Sequence, residues 1–135
     1  MEQNDREYLL RCINEYATCG LIFENNNGDL LRLEKTYEDG SCWCQYIEKP
    51  TTYTGFDIHT VHLFKPYLRS LDNKTSHESN HFQVELEELS LRPSVDNAVS
   101  FSRWLREKHF DCFGLIEKGL ALEAPEGMDD DKKNK

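Results

Sequence analysis

The chain has 135 residues, a size at which one domain around one hydrophobic core is expected. Hydrophobic residues at 38% and aromatics at 11% exclude a disordered polymer, and no run approaches the apolar length that crosses a bilayer. A formal net charge of −9 at pH 7 disfavours nonspecific attraction to nucleic-acid phosphates or to an anionic lipid surface, and favours a basic partner.

Residues 5 to 19 read as an amphipathic helix, with Tyr8, Leu9, Cys12, Ile13, Tyr16 and Ala17 on one face and Arg6, Glu7, Arg11, Asn14 and Glu15 on the other. Asn4 and Glu7 have the spacing of a capping box, and Gly20 can close the helix in the left-handed conformation. The period then changes. "LIFE" and "LLRLEKTY" flank Asn27-Gly28, the dipeptide best suited to a tight hairpin turn. "EDG" at 38 to 40 is a second turn, and "SCWCQYI" alternates as a strand with two unlike faces. "HTVHLF" at 59 to 64 alternates again, while Pro66 argues against its continuing as a central strand.

Residues 70 to 82 are polar and aperiodic, and with the acidic "VELEELS" they read as a connector. Pro93 precedes a second helix capped by Ser94 or Asp96, with Ala98, Phe101, Trp104, Leu105 and His109 near one face. Asp111 is placed to cap a short following helix, "CFGLIEKG", that ends at Gly119. The fold class is therefore α+β: an N-terminal helix, a small antiparallel sheet of three or four strands, and a C-terminal helix with a short following helix. Residues 1 to 124 form one domain, and 125 to 135 are expected to be a disordered tail. The polar, acidic N-terminus lacks the pattern of a secretory signal, and five irregularly spaced cysteines fit reduced thiols. A cytoplasmic location without membrane association is the expectation.

Catalytic patterns are weak. His109, Asp111 and Cys112 suggest a base, an orienting carboxylate and a nucleophile, but residues this close at a helix-to-turn corner do not converge on one substrate atom. Cys42 and Cys44, His59 and His62, and His77 and His81 are each half of a metal site; no metal and no cofactor is expected. Phosphate-binding glycine motifs are absent, so nucleotide chemistry and a small-molecule substrate are not expected. Acidic residues are more telling: Glu34, Glu38 and Asp39 near the hairpins, and Glu85, Glu87, Glu88 and Asp96 further on, can imitate a phosphate ladder in a basic groove. Arg103, Arg106 and Lys108, with Arg92 nearby and Trp43 or Tyr53 for stacking, define the competing surface, one for nucleic acid.

Two segments carry a resemblance. "HLFKPYLRSLDNKTSHE" is similar to the pattern "KPxLRPLSDMTxEE", and "WLREKHFDCFGLIEKGLALEAP" resembles "LLxxHFDxFGLIEKGLAI". Both patterns recur in uncharacterised small proteins encoded by phages and integrated elements of Bacteroidetes, whose opening "CGLIFE" also resembles. The likeness spans most of residues 7 to 125, with Ser70-Leu71-Asp72 replacing the group's Pro-Leu-Ser. It implies a mobile-element origin and an intracellular site of action, and it carries no catalytic residue. Charge, missing motifs and this context together point to an accessory protein that is not an enzyme and acts by protein–protein binding. Its expected form is an anti-defence, anti-CRISPR-like inhibitor whose carboxylates meet a host nucleic-acid-binding enzyme with a basic surface. The alternative is a nucleic-acid-associated module in phage replication or recombination.

Overall fold

The computed structural model describes residues 2–125 and 128. The expected tail falls almost wholly outside them. Helix α1 (Gln3–Glu15) begins after Glu2 without a side-chain cap, so the Asn4–Glu7 capping box does not form; both residues lie inside the helix. It buries Leu9, Leu10, Cys12 and Ile13, the stripe that the 3.6-residue period demands. Gly20 closes the following turn with φ 64°.

Six strands follow among the described residues, rather than three or four: β1 (Ile22–Asn25), β2 (Leu30–Thr36), β3 (Cys42–Tyr46), β4 (Tyr53–Phe56), β5 (Phe64–Leu68) and β6 (Leu122–Glu123). Their order is β4-β3-β2-β1-β5-β6, antiparallel up to β5, with β6 parallel to β5. The β1–β2 turn is fixed by Asn25, whose side-chain oxygen accepts from the backbone of Asn27 and Asp29, and by Gly28 at φ 83°. In the β2–β3 turn Asp39 accepts from the backbone and hydroxyl of Ser41, and Asn14 of α1 donates to the Gly40 carbonyl.

Pro66 sits inside β5 opposite Phe23, contrary to expectation. It is tolerated because β6 pairs only with Tyr67 and Leu68, so the ladder on that side asks no donor of residue 66. The stretch before it is not extended: Val61–Leu63 is a turn of 3-10 helix, and Val61 is buried under α1.

One face of the sheet is the core. Phe23, Leu31, Leu33, Cys44, Phe56, Phe64 and Leu68 meet Leu9, Leu10, Cys12, Ile13 and Tyr16 of α1. Phe56 of β4 ties the core face of the sheet together, with its ring 5.4 Å from Phe23 of β1 and 4.6 Å from Phe64 of β5. The other face carries the alternate residues, among them Arg32, Gln45 and Tyr53 in one cross-strand row and Lys35, Trp43 and Gly55 in the next.

The presumed connector is a helix, α2 (Ser76–Leu91), paired with α3 (Val95–Glu107) as an α-helical hairpin. Thr75 and Glu78 form a reciprocal capping box at the start of α2, and Ser94 caps α3 by accepting from Asn97. Residues 112 to 119 are a series of turns, not the expected short helix; Asp111 does cap them, accepting from Leu115 and Ile116. No helix among the described residues is long and apolar enough to cross a membrane.

Leu31 is fully buried at the centre of this core. Leu31→Ala should lower unfolding free energy by about 2–5 kcal/mol in a urea titration. A loss below about 1 kcal/mol would show that the sheet face is not packed as described.

Candidate functional site

The densest knot of side chains lies where β5, the end of α3 and α1 meet. Arg69, the residue after β5, exchanges backbone hydrogen bonds with the 109–111 segment: its N–H donates to His109 and its carbonyl accepts from Asp111. Its guanidinium donates to both carboxylate oxygens of Glu78, at 2.7 and 2.5 Å, and lies 4.4 Å over the Phe110 ring. Tyr16 of α1 donates its buried hydroxyl to the Phe110 carbonyl and accepts from Cys112 N–H at 3.2 Å. The two segments on which the sequence resemblance rests are thus in direct contact.

His109, Asp111 and Cys112, which the sequence reading already sets aside as a catalytic group, are each engaged in this packing. His109 holds φ 61° in the left-handed region, is buried, and places Nε2 2.5 Å from the Cys19 carbonyl. The Asp111 carboxylate is taken up by backbone donors of the next turn. The Cys112 thiol faces the Phe110 carbonyl at 3.5 Å, and burial raises its pKa. The three serve as joints of the fold. Phe113 packs edge-on against Tyr16 and belongs to the core margin, not to an exposed surface.

No group of three or more His, Cys, Asp or Glu side chains among the described residues has the geometry to hold a metal ion. His59 lies in a turn and His62 in the 3-10 helix, so neither sits on a strand face. His81 stacks on Trp104 at 4.4 Å, and its Nε2 is 3.5 Å from Glu85. Cys42 and Cys44 point into the core, and burial pushes both thiols up to about 12.

The acidic residues divide into two groups. Glu34, Glu38 and Asp39 lie on β2 and its turn, where Glu38 and Asp39 rim a shallow groove with Glu7, Leu10, Arg11 and Ile58. Glu85, Glu87 and Glu88 ride on α2, and Asp96 opens α3. The hairpin carrying them is weakly tied to the body. No residue from 79 to 107 is buried, and the two helices meet through Phe82 on Phe101 and His81 on Trp104. Leu91 and Val95 at the tip are 79% and 78% exposed, with Val84, Leu86 and Val99 also open to solvent. Sequence reasoning singled out the carboxylates but missed the helix and its exposed apolar side chains, because residues 70 to 82 and the following "VELEELS" were read as a connector; the capping pair Thr75 and Glu78 was the available signal.

The basic trio is likewise split in role. Arg103 and Lys108 are exposed, whereas Arg106 donates to Ser102 and lies 3.7 Å from Glu15 of α1. Trp43 and Tyr53 sit on β3 and β4, and three strand spacings, about 14 Å, separate β3 from the β5 end that anchors the hairpin. The aromatics and these cations do not form one surface.

Comparison with protein-family models, with curated proteins and with solved structures returned no match.

Glu78 is held at about 2, below its usual 4.5, chiefly by the Arg69 hydrogen bonds and also by the Thr75 N–H. The ionised form is therefore favoured by folding. Its contribution is complete above about pH 4.5, where the unfolded chain is already ionised, and disappears as pH falls towards 2. Glu78→Gln should flatten the acid limb of the melting temperature against pH in that window. An unchanged limb would place the acid transition elsewhere. Cys42 and Cys44 should resist alkylation at about pH 8 until the chain is unfolded, as counted by mass spectrometry.

Proposed function

We propose that the protein acts by binding another protein, with the α2–α3 hairpin as its contact arm and a basic surface on the partner. One observation carries this reading: the outer hairpin presents Val84, Leu86, Leu91, Val95 and Val99 to water, interleaved with Glu85, Glu87, Glu88 and Asp96. Apolar side chains set among carboxylates suit an interface with an apolar centre and a charged rim that selects the partner. Helix α2 carries no Lys or Arg: Glu85 has His81 at 3.5 Å, and Arg92 just beyond the helix is 3.6 Å from Glu88. The net charge of −9 steers a cationic partner towards the arm.

The context implied by the sequence resemblance makes this an accessory factor of a mobile element. The matching partner class is a host nucleic-acid-binding enzyme whose basic groove accepts the acidic helix in place of phosphates, an anti-CRISPR-like mode of action. Glu34, Glu38 and Asp39 lie outside the arm and are not needed for it.

The test is a tagged pull-down from a nuclease-treated Bacteroidetes lysate, run side by side with wild type, with Glu85, Glu87 and Glu88 changed together to Lys, and with Leu91→Ser/Val95→Ser. Retention of a basic protein by wild type, weakened at least about tenfold by either variant and by raised salt, is the expected result. Equal retention by all three proteins, each with an unaltered circular dichroism spectrum, would remove the hairpin as the contact arm.

A further inference from the structure

A second surface, independent of the hairpin, lies on the sheet face opposite α1. Three aromatic side chains stand out as exposed among the described residues: Tyr37 at 47%, Trp43 at 37% and Tyr53 at 45%. All three belong to this one face. Trp43 pairs across β3–β4 with Gly55 and across β2–β3 with Lys35, and Tyr37 lies two residues beyond Lys35. Gly55 is required beneath Trp43, because a Cβ there would come within 3.2 Å of the indole and 2.9 Å of the Cys42 carbonyl. The indole consequently rests over β4, parallel to the Tyr53 ring within 4° and with centroids 6.0 Å apart.

Cations alternate with the rings. Lys35 lies 5.2 Å over the Tyr37 ring, and Arg32 shares a cross-strand row with Gln45 and Tyr53. Neither Lys35 nor Arg32 is ion-paired among the described residues, and the only carboxylate within strands β2 to β4 is Glu34, in the β2 bulge. In a chain with 25 acidic against 16 basic residues, this face departs from the general charge.

The geometry points to a binding site for single-stranded nucleic acid on the outer face of β2, β3 and β4, with Trp43 and Tyr53 stacking on bases and Lys35 and Arg32 meeting the phosphates. A flat face with open rings accepts any base, and the neighbouring cations follow the backbone. Duplex is excluded because its bases are already stacked on one another and cannot reach the rings. The acidic remainder of the protein repels phosphate, so binding is confined to this face and is strongly weakened by salt.

The test uses the full chain and fluorescein-labelled 12-mers of oligo(dT) and oligo(U), followed by anisotropy at about 20 mM salt. Binding should be saturable, weaken as salt rises, and fall at least about tenfold in Trp43→Ala/Tyr53→Ala and in Arg32→Glu/Lys35→Glu. Trp43→Phe, which keeps a ring, should bind within about threefold of wild type, and Arg103→Glu/Lys108→Glu should bind as wild type does. The proposal is overturned by the absence of any anisotropy change at about 100 µM protein, by duplex competing as well as single strand, or by a folded Trp43→Ala/Tyr53→Ala protein that binds unchanged. None of these outcomes bears on the hairpin, which the pull-down tests separately.

Discussion

The architecture turns on the guanidinium of Arg69. It stands at the end of β5, grips the Glu78 carboxylate that caps α2, covers the Phe110 ring, and donates to the carbonyls of Lys108 and Asn73. One side chain therefore links the sheet, the first turn of the hairpin and its last turn. The pair is largely removed from water, with side-chain exposures of 17% and 10%. Losing one partner would leave an uncompensated charge, a defect that costs about 3–5 kcal/mol when such a pair is broken. Planarity matters as well: the two parallel bonds to the carboxylate require a guanidinium, and an ammonium at the same place would supply a point charge without the fork.

Around that anchor the polar groups of the 109–112 corner are satisfied locally. His109 reaches the Cys19 carbonyl, Tyr16 serves Phe110 and Cys112, and Asp111 caps the turn that follows. A left-handed histidine is costly in isolation, and the surrounding bonds over-determine it. The histidine, aspartate and cysteine that look like chemistry in one dimension are consumed in three by holding α1, β5 and α3 together.

What could be read from the sequence follows from where the information lies. Helix α1 and the turns at Asn27-Gly28 and Asp39-Gly40 are specified by local pattern, and Ser94 marks the start of α3. Helix α2 was hidden because its stabilising contacts lie at its ends and along a single partner helix, so Glu78 is its only buried residue and no apolar period develops. The short edge strands β4 and β6 are set by pairing with neighbours, and Pro66 hides β5 unless the two-residue extent of β6 is known. The acidic and basic residues were legible as types, but their division between turn, hairpin and body depends on long-range topology. Trp43 and Tyr53 were recognisable as stacking groups; their parallel arrangement over Gly55 was not, since it needs the β3–β4 register.

The hairpin's lack of buried side chains has a consequence for its motion. Residues 79 to 107 contribute little to the cooperative core, so α2 and α3 can open as a subglobal unit while the sheet and α1 stay closed. The amides of the hairpin then exchange with solvent through that partial opening, at a rate set by its own small free energy and not by global unfolding. A partner that clamps the two helices pays part of its affinity to suppress this opening, and returns it as protection of a segment that the fold alone leaves loosely held.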